Sequence, residues 1–343
     1  MKPRSFTKSK NTLAFLFLGV AALLLFGANL LLGSVHIPVK KVIDIIFGAN
    51  GAESTIRFII LDSRLPSAIT ALLAGGSLAV CGLMMQSAFR NPLAGPSVLG
   101  VNSGASLGVA LVMLLWGGTF RGSTMGVEGI SAVMSGAFAG AMCVMGIILV
   151  LSNILRNPIT LIIAGMMIGY LVSSIITILN FEATAQGIQG YVMWGMGSFG
   201  GQTRETIIPF AIITCAGLAF SLLLVKSLDL LLLGEDYAKN LGLNLTLTRN
   251  LLLVATGILS AVTTAYCGPV SFLGLAVPHI TRLFFPTDLH RILMPACILM
   301  GGVVALLCNL LCLLPESGVL PLNAVTPLIG APVIIWVILK SRK

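Results

Sequence analysis

The side chains that most often bind metals are sparse in this chain of 343 residues. Its three histidines are His36, His279 and His290, and none has a potential co-ligand three or four residues further on. Cys308 and Cys312 share a helix face, but two thiols without a nearby histidine or carboxylate make a poor zinc site. We therefore expect no metal site, and we interpret His279 as a capping or packing residue.

Groups for catalysis are also hard to assemble from this sequence. An intramembrane enzyme needs a nucleophile with a base, or a metal triad, and the chain has no H-E-x-x-H motif. It also has no Gly-Lys dipeptide, so it lacks the phosphate-binding loop G-x-x-x-x-G-K-[ST]. We predict no catalytic residue and no cofactor on this chain. If ATP drives its activity, ATP and magnesium bind to another subunit.

The composition indicates a chain built for lipid. Hydrophobic residues make up 57% of the sequence and charged residues 9%, whereas a soluble domain has about 25% charged residues. This excludes nucleic-acid binding as a first interpretation, despite the formal net charge of +9. The seven cysteines all fall in apolar runs and are interpreted as small buried residues. The predicted spans hold almost no charge, which argues against an ion-coupled secondary transporter.

The apolar run from Ala68 to Met85 is long enough to cross most of a hydrocarbon core of roughly 30 Å. It is rich in small residues, which let helices approach closely in lipid, so we expect other helices to enclose it. We predict ten spans, at about residues 12–35, 66–88, 97–116, 130–151, 159–179, 205–225, 248–267, 272–286, 290–312 and 322–340. A short amphipathic helix is predicted after Pro38, at the outer surface.

The distribution of basic residues predicts the topology. With ten spans and a cytoplasmic N-terminus, fourteen Lys and Arg residues fall on the inside and six on the outside. This bias is the one expected for cytoplasmic loops. We predict a single polytopic domain, residues 1–343, in the cytoplasmic membrane with both termini in the cytoplasm.

The longest predicted cytoplasmic segment, 226–249, is expected to form two short helices broken at Gly234 and Gly242. Glu235 lies at the start of the second helix, where an acidic group favours the positive end of the helix dipole. Three residues share one face of that helix by their spacing: Tyr237, Ala238 and Leu241. A helix this short and exposed is marginal unless it packs on something. Its partner is either the chain's own bundle or another subunit.

A second interrupted segment runs from Cys267 to Arg282. Gly268-Pro269 and Pro278 interrupt helical hydrogen bonding, which lipid tolerates only where the backbone is buried or lines a cavity. The G-P-V-S-F-L-G sequence at 268–274 faintly echoes G-P-S-V-L-G at 95–100, but one echo does not establish a repeat.

Five motifs, covering the chain from Arg64 to Trp336, resemble those of the FecCD family. These proteins are permease subunits of ABC importers for ferric siderophores, haem and cobalamin. The motifs are R-L-P at 64–66 with Q at 86 and R-N-P-L-A at 90–94, W-x-x-G-S-F at 194–199, G-E-D-Y-A-K-N-L-G-L at 234–243, G-P with P-H-x-x-R between 268 and 282, and the last span from 318 to 332. The departures are Ser67, usually a second arginine, and Leu322-Asn323, where siderophore permeases often have Val-Gly or Ile-Gly.

The resemblance implies an all-α membrane fold of two pseudo-symmetric five-helix halves. It also implies that the 226–249 segment is the coupling loop that docks on the ATPase. The coupling positions are Gly234, Glu235, Tyr237, Ala238, Leu241 and Gly242. The family-motif positions are Gln86, Arg90, Asn91, Pro92, Gly268, Pro269, Pro278, His279 and Arg282.

The resemblance further places the fifth span along a dimer axis, with a cytoplasmic gate near Pro158-Ile159-Thr160. The pathway positions above the gate are small or carry hydroxyls: Gly165, Gly169, Ser173 and Thr177. Docking of an extracytoplasmic binding protein is expected through arginines, for which Arg57 and Arg64 are the candidates. The loop before the last span offers only Glu316.

By this resemblance, the chain is a homodimeric permease, possibly heterodimeric with a paralogue, working with two ATPase subunits and a binding protein. The first expectation for the cargo is a ferric iron chelate, either a siderophore or haem. Cobalamin is the alternative within the family. An ion-coupled secondary transporter is the alternative from a different class.

Overall fold

The computed structural model describes residues 8–33, 35, 37–46, 54–115, 127–155, 158–315 and 318–341, which are helical or lie in turns and short connections, without a strand. Several residues used in the sequence predictions lie outside these ranges. They are His36, Glu316 and six of the basic residues counted for the topology: Lys2, Arg4, Arg121, Arg156, Arg342 and Lys343.

The first half of the chain contains four long helices and three shorter ones. In order they are α1 Lys8–Leu31, α2 Val39–Ile46, α3 Ser54–Phe58, α4 Leu65–Ala88, α5 Val101–Ala110, α6 Val127–Ile154 and α7 Pro158–Glu182. A π-helical segment, Ile59–Arg64, joins α3 to α4, and another, Leu111–Leu115, extends α5. The amphipathic helix predicted after Pro38 is α2, which buries Val42 and Ile45.

The second half begins with a helix that the sequence analysis did not predict, Ala185–Gly195. The helices of this half are α8 Ala185–Gly195, α9 Arg204–Leu223, α10 Val225–Leu232, α11 Glu235–Asn240, α12 Leu245–Cys267, α13 Leu273–Phe284, α14 His290–Cys312 and α15 Leu322–Ser341. The two short helices predicted between Lys226 and Arg249 are therefore confirmed as α10 and α11.

Each of the ten predicted spans coincides with a helix. Among the described residues, seven helical stretches are long and apolar enough to cross a membrane. The other three are shorter: the α5 stretch Val101–Leu115, α13, and the apolar part of α15, Leu322–Val337. The chain is thus an all-α membrane protein, and α13, at 12 residues, spans only about 18 Å at 1.5 Å per residue.

Helix α4 lies at the centre of the bundle, as its small residues predicted. It packs against α14, α12, α13 and α9. Gly82 approaches the backbone of Gly274 in α13 so closely that a Cβ would overlap it. Close helix contacts of this kind supply the packing that holds helices together in lipid.

The two halves repeat the same pattern of contacts. Helix α4 packs on α14 as α12 packs on α6, and α5 packs on α7 as α13 packs on α15. The two G-P sequences occupy matching places, since each precedes a short helix whose N-cap is left-handed: Gly100 with φ +77° before α5 and Phe272 with φ +67° before α13. The predicted pair of five-helix halves is therefore visible in the packing.

Candidate functional site

The α10–α11 hairpin lies beside the end of α4 and the start of α14. Both predicted glycine turns are present, with φ +113° at Gly234 and φ +88° at Gly242. These values favour glycine, because other residues rarely adopt positive φ. At the second turn the Leu243 N–H donates to Ala238 O and the Gly242 N–H donates to Lys239 O, each at 2.9 Å. This pair of bonds is a Schellman motif, which gives α11 a defined end.

The exposed face of α11 differs from the predicted one. Ala238 is 0% exposed and is therefore covered within this chain, whereas Tyr237 is 70% and Leu241 61% exposed. The prediction that Ala238 contacts a partner subunit is therefore wrong, because the hairpin turns this side chain inward. Tyr237 and Leu241 remain available, and exposed apolar side chains clustered on a short helical hairpin indicate an interaction site.

An ion pair ties the hairpin to the next long helix. Glu235 lies 3.5 Å from Arg249 of α12, while the Asn244 side chain caps α12 by accepting from the Leu247 N–H at 3.0 Å. The Arg249 side chain is 16% and the Glu235 side chain 41% exposed, and partly exposed pairs of this kind contribute about 0–1 kcal/mol. Glu235 thus orients α11, and Tyr237 and Leu241 present its contact surface.

The family-motif residues meet where α4 ends. The Gln86 Oε1 atom accepts from Arg282 Nη1 of α13 at 2.9 Å, and its Nε2 donates to Leu275 O at 3.2 Å. His279 Nε2 lies 2.9 Å from Pro92 O, so the ring packs and caps as predicted. The Asn91 side chain accepts from the Leu93 N–H at 2.9 Å and holds the turn after α4.

Arg90 occupies a strained position in the same turn. Its φ is +46°, in a left-handed conformation that usually belongs to glycine after a helix. For other residues this conformation costs roughly 1–2 kcal/mol. The Arg90 guanidinium reaches across to Leu231 O at the end of α10, at 3.0 Å. The strained residue therefore connects α4 to the α10–α11 hairpin.

The Gly268-Pro269 break lies between α12 and α13 and is held by Asn323. The Asn323 Nδ2 donates to Gly195 O of α8 at 2.9 Å and also to Pro269 O, and its Oδ1 accepts from the Ser271 N–H at 3.1 Å. One side chain thus joins α8, the break and α15. Pro278, in contrast, lies inside α13.

Helix α7 offers the predicted translocation face. An open groove is lined by Ser97, Val98, Gly100, Ser103, Gly165, Met166, Gly169, Tyr170 and Ser173. It contains three of the predicted pathway residues, and none of these nine described residues is charged. Gly165 is buried against the backbone at Val98 and Leu99, so its small size serves close packing.

The remaining predicted pathway residues lie beyond this groove. Ile159 and Thr160 are exposed near the start of α7, and Thr177 is exposed one turn past Ser173, to whose carbonyl it donates at 2.9 Å. Pro158 begins the helix.

The two candidate docking arginines have different environments. Arg57 is exposed on α3. Arg64 is only 9% exposed, and its guanidinium donates to Leu30 O at 2.9 Å, Leu31 O at 2.8 Å and Val35 O. It caps the last turn of α1, whose carbonyls would otherwise lack partners. The prediction that Arg64 docks a binding protein is therefore wrong, since this side chain is already engaged within the chain.

A hydrogen-bonded chain of three side chains was missed in the sequence. His290 joins Ser87 at 2.6 Å and Asp229 at 2.9 Å. The nearest two of these residues, Asp229 and His290, are 61 positions apart along the chain, beyond the reach of spacing rules.

The described residues hold no cluster of three or more His, Cys, Asp or Glu side chains that could bind a metal. All seven cysteines are free, and five are buried as predicted, while Cys143 and Cys215 are exposed.

Comparison with known proteins gives consistent relatives. The FecCD transport family matches residues 21–340. The vitamin B12 import system permease proteins BtuC of Salmonella arizonae and Salmonella typhi are 37% identical over 287 residues, which is 82% of this chain and 82% and 83% of those proteins. A solved structure described as an inward-facing conformation of a metal-chelate type ABC transporter matches with a TM-score of 0.82 and 25% identity, over 96% of this chain and 99% of that one.

Proposed function

This chain belongs to the FecCD transport family, and we propose that it is the membrane-spanning permease subunit of an importer powered by ATP hydrolysis on partner subunits. The observation that carries this proposal is the exposed apolar surface of Tyr237 and Leu241 on the α10–α11 hairpin. This surface is positioned by the Gly242 turn and the Glu235–Arg249 pair. A permease without its own nucleotide site needs a solid contact of this kind to receive the movement of an ATPase.

The cargo that we propose is a metal chelate, with a corrinoid such as cobalamin as the first compound to test. The relatives at 37% identity are named vitamin B12 permeases, and the structural relative is described as a metal-chelate transporter. A ferric siderophore or haem is the second candidate, because the uncharged groove on α7 suits any large chelate whose metal is fully wrapped.

The unit of transport is proposed to be a homodimer around α7. This helix leaves large apolar side chains uncovered at its middle and end, including Tyr170, Leu171, Ile178 and Phe181. A second copy would cover part of this face and close the open groove into a pathway. A paralogue could replace the second copy without changing this geometry.

The outer partner is proposed to be a substrate-binding protein, with Arg57 in its docking surface. The exposed position of Arg57 on the side opposite to α11 supports this role. The apolar helices and the family indicate a multi-pass protein of the cytoplasmic membrane. The excess of Lys and Arg in the predicted cytoplasmic segments supports a cytoplasmic position for both termini.

The test is transport by the full complex. The chain is co-expressed with its candidate ATPase and binding protein, purified, and reconstituted into proteoliposomes with ATP. Uptake of cyanocobalamin, a panel of ferric siderophores and haem is then measured. We expect ATP-dependent uptake of one chelate, with cyanocobalamin first. ATP-independent uptake driven by an ion gradient, or failure to co-purify an ATPase, would overturn the proposal.

A further inference from the structure

Three side chains form a continuous hydrogen-bonded chain between the hairpin and the bundle. His290, the first residue of α14, has its Nε2 atom 2.6 Å from Ser87 Oγ in the last turn of α4. Its Nδ1 atom lies 2.9 Å from Asp229 Oδ1 in α10, and the same carboxylate oxygen accepts from the His290 backbone N–H at 2.7 Å. An ionised carboxylate can only accept, so Nδ1 carries a proton and donates.

The arrangement of serine, histidine and aspartate resembles a hydrolase triad, but it does not suit one. His290 is only 1% exposed, so the imidazole has no surface to offer a substrate. These hydrogen bonds instead hold three helices together: α4, α10 and α14. The Asp229 carboxylate faces the N-terminus of α14, where a negative charge is stabilised by the unpaired N–H groups and the helix dipole.

A second hydrogen bond connects the α10–α11 hairpin to the end of α4. Arg90, just after α4, donates to Leu231 O of α10 at 3.0 Å. Helix α10 is thus bonded to α4 directly through Arg90 and indirectly through His290. Only Leu233 and Gly234 separate α10 from α11. Any displacement of the Tyr237 and Leu241 surface therefore acts on α10, and through it on the ends of α4 and α14.

We propose that Asp229 and His290 are positioning residues that transmit the movement of the α10–α11 hairpin to α4 and α14. This inference rests on the proposed function, because the movement originates in an ATPase docked on α11. Without the bonded chain, the hairpin could follow the ATPase while α4 and α14 stayed in place. ATP hydrolysis would then be separated from opening of the pathway.

The test uses a reporter at the predicted gate in the reconstituted complex with its ATPase. Thr160→Cys is introduced into a chain carrying Cys143→Ser and Cys215→Ser, which removes the two exposed native thiols. The rate of labelling by a maleimide is measured with and without Mg-ATP plus vanadate. Co-purification of the ATPase shows that each variant has folded and assembled.

The decisive comparison is between two substitutions of one residue. Asp229→Asn keeps an oxygen that can accept both His290 N–H groups, whereas Asp229→Leu removes it. We expect Asp229→Leu and His290→Ala to reduce the nucleotide-dependent change in labelling by at least about fivefold, the lower end of typical coupling effects. Asp229→Asn should retain most of the response. If His290→Ala fails to assemble, Ser87→Ala replaces it in the test. This variant removes only the hydroxyl that is bonded to His290 and should reduce the labelling response in part.

The outcomes separate the two proposals. Native-like responses in Asp229→Leu and Ser87→Ala would overturn transmission through His290 and leave the permease assignment standing. An unresponsive reporter in the chain with native Asp229 and His290 would overturn ATP-driven gating and, with it, the role of these residues. Equal losses in Asp229→Asn and Asp229→Leu would assign the effect to charge rather than to the bonded chain and would also overturn the proposal.

Discussion

Gly75 of α4 and Gly301 of α14 face each other so closely that a Cβ on either glycine would clash with the carbonyl oxygen of the other. Their contact lies where the central helix crosses its main partner in the second half of the chain. Because the obstacle is backbone on both sides, no rotamer change could make room. The crossing therefore depends on two residues with no side chain.

We expect Gly75→Ala to destabilise the protein through this crossing. The added methyl group would meet Gly301 and Ala305, and overpacking of this kind costs about 1–3 kcal/mol. Gly146→Ala is the matched control, since nothing lies within 4 Å of a Cβ at that helical position. The measurement is the melting temperature of the detergent-solubilised chain. Equal melting temperatures for the two variants would show that α4 and α14 tolerate separation here.

The sequence could predict the features that depend on neighbouring residues. The turns at Gly234 and Gly242, the helices at the ten predicted spans and the enclosure of α4 all follow from local composition and periodicity. The exposed face of α11 could not be predicted in this way. The spacing of Tyr237, Ala238 and Leu241 groups them on one face but does not show which of them is covered. Arg64 was misassigned for a related reason. Its partners, the last carbonyls of α1, lie 33 and 34 positions earlier, and only the folded chain brings them together.

We expect Arg64 to have a structural role and Arg57 to have a docking role. Arg64→Ala removes a buried guanidinium that donates to three carbonyls, and hydrogen bonds to charged groups each contribute about 1.5–3 kcal/mol. We expect a lower melting temperature for Arg64→Ala and an unaltered one for Arg57→Ala. Conversely, Arg57→Ala should weaken binding of the binding protein and reduce its salt dependence, by at most about 1 kcal/mol. Loss of docking in Arg64→Ala at full stability would restore the original expectation for this residue.

Asn323 should stabilise the end of α8 and the start of α15 through its two donors and one acceptor. Asn323→Asp keeps the acceptor for Ser271 but loses both donors and sets a negative charge against the carbonyls of Gly195 and Pro269. We therefore expect the melting temperature to fall from the native chain to Asn323→Ala, and further to Asn323→Asp. Gln189→Ala removes an exposed amide and serves as the control. Equal melting temperatures for Asn323→Asp and Asn323→Ala would show that the donors contribute nothing.

The α11 surface offers the sharpest test of how the ATPase is bound. Tyr237→Ser combined with Leu241→Ser removes the exposed apolar area of the helix without touching its turns or its ion pair. Burying such side chains contributes about 1.5–3 kcal/mol each, so we expect the ATPase to bind at least tenfold more weakly. Asn240→Ser changes an exposed polar residue beside them and should leave ATPase binding as it is.

Ala238→Asp distinguishes this surface from the interior of the hairpin. Its side chain is fully covered within the chain, so a carboxylate there would be buried without a partner and would disrupt the packing of α11 itself. We expect faster hydrogen exchange across 234–243 in the isolated permease for Ala238→Asp, and native exchange for the Tyr237 and Leu241 double variant. Both should bind the ATPase poorly, but for different reasons. If Ala238→Asp exchanged like the native chain and lost only ATPase binding, Ala238 would belong to the docking surface after all.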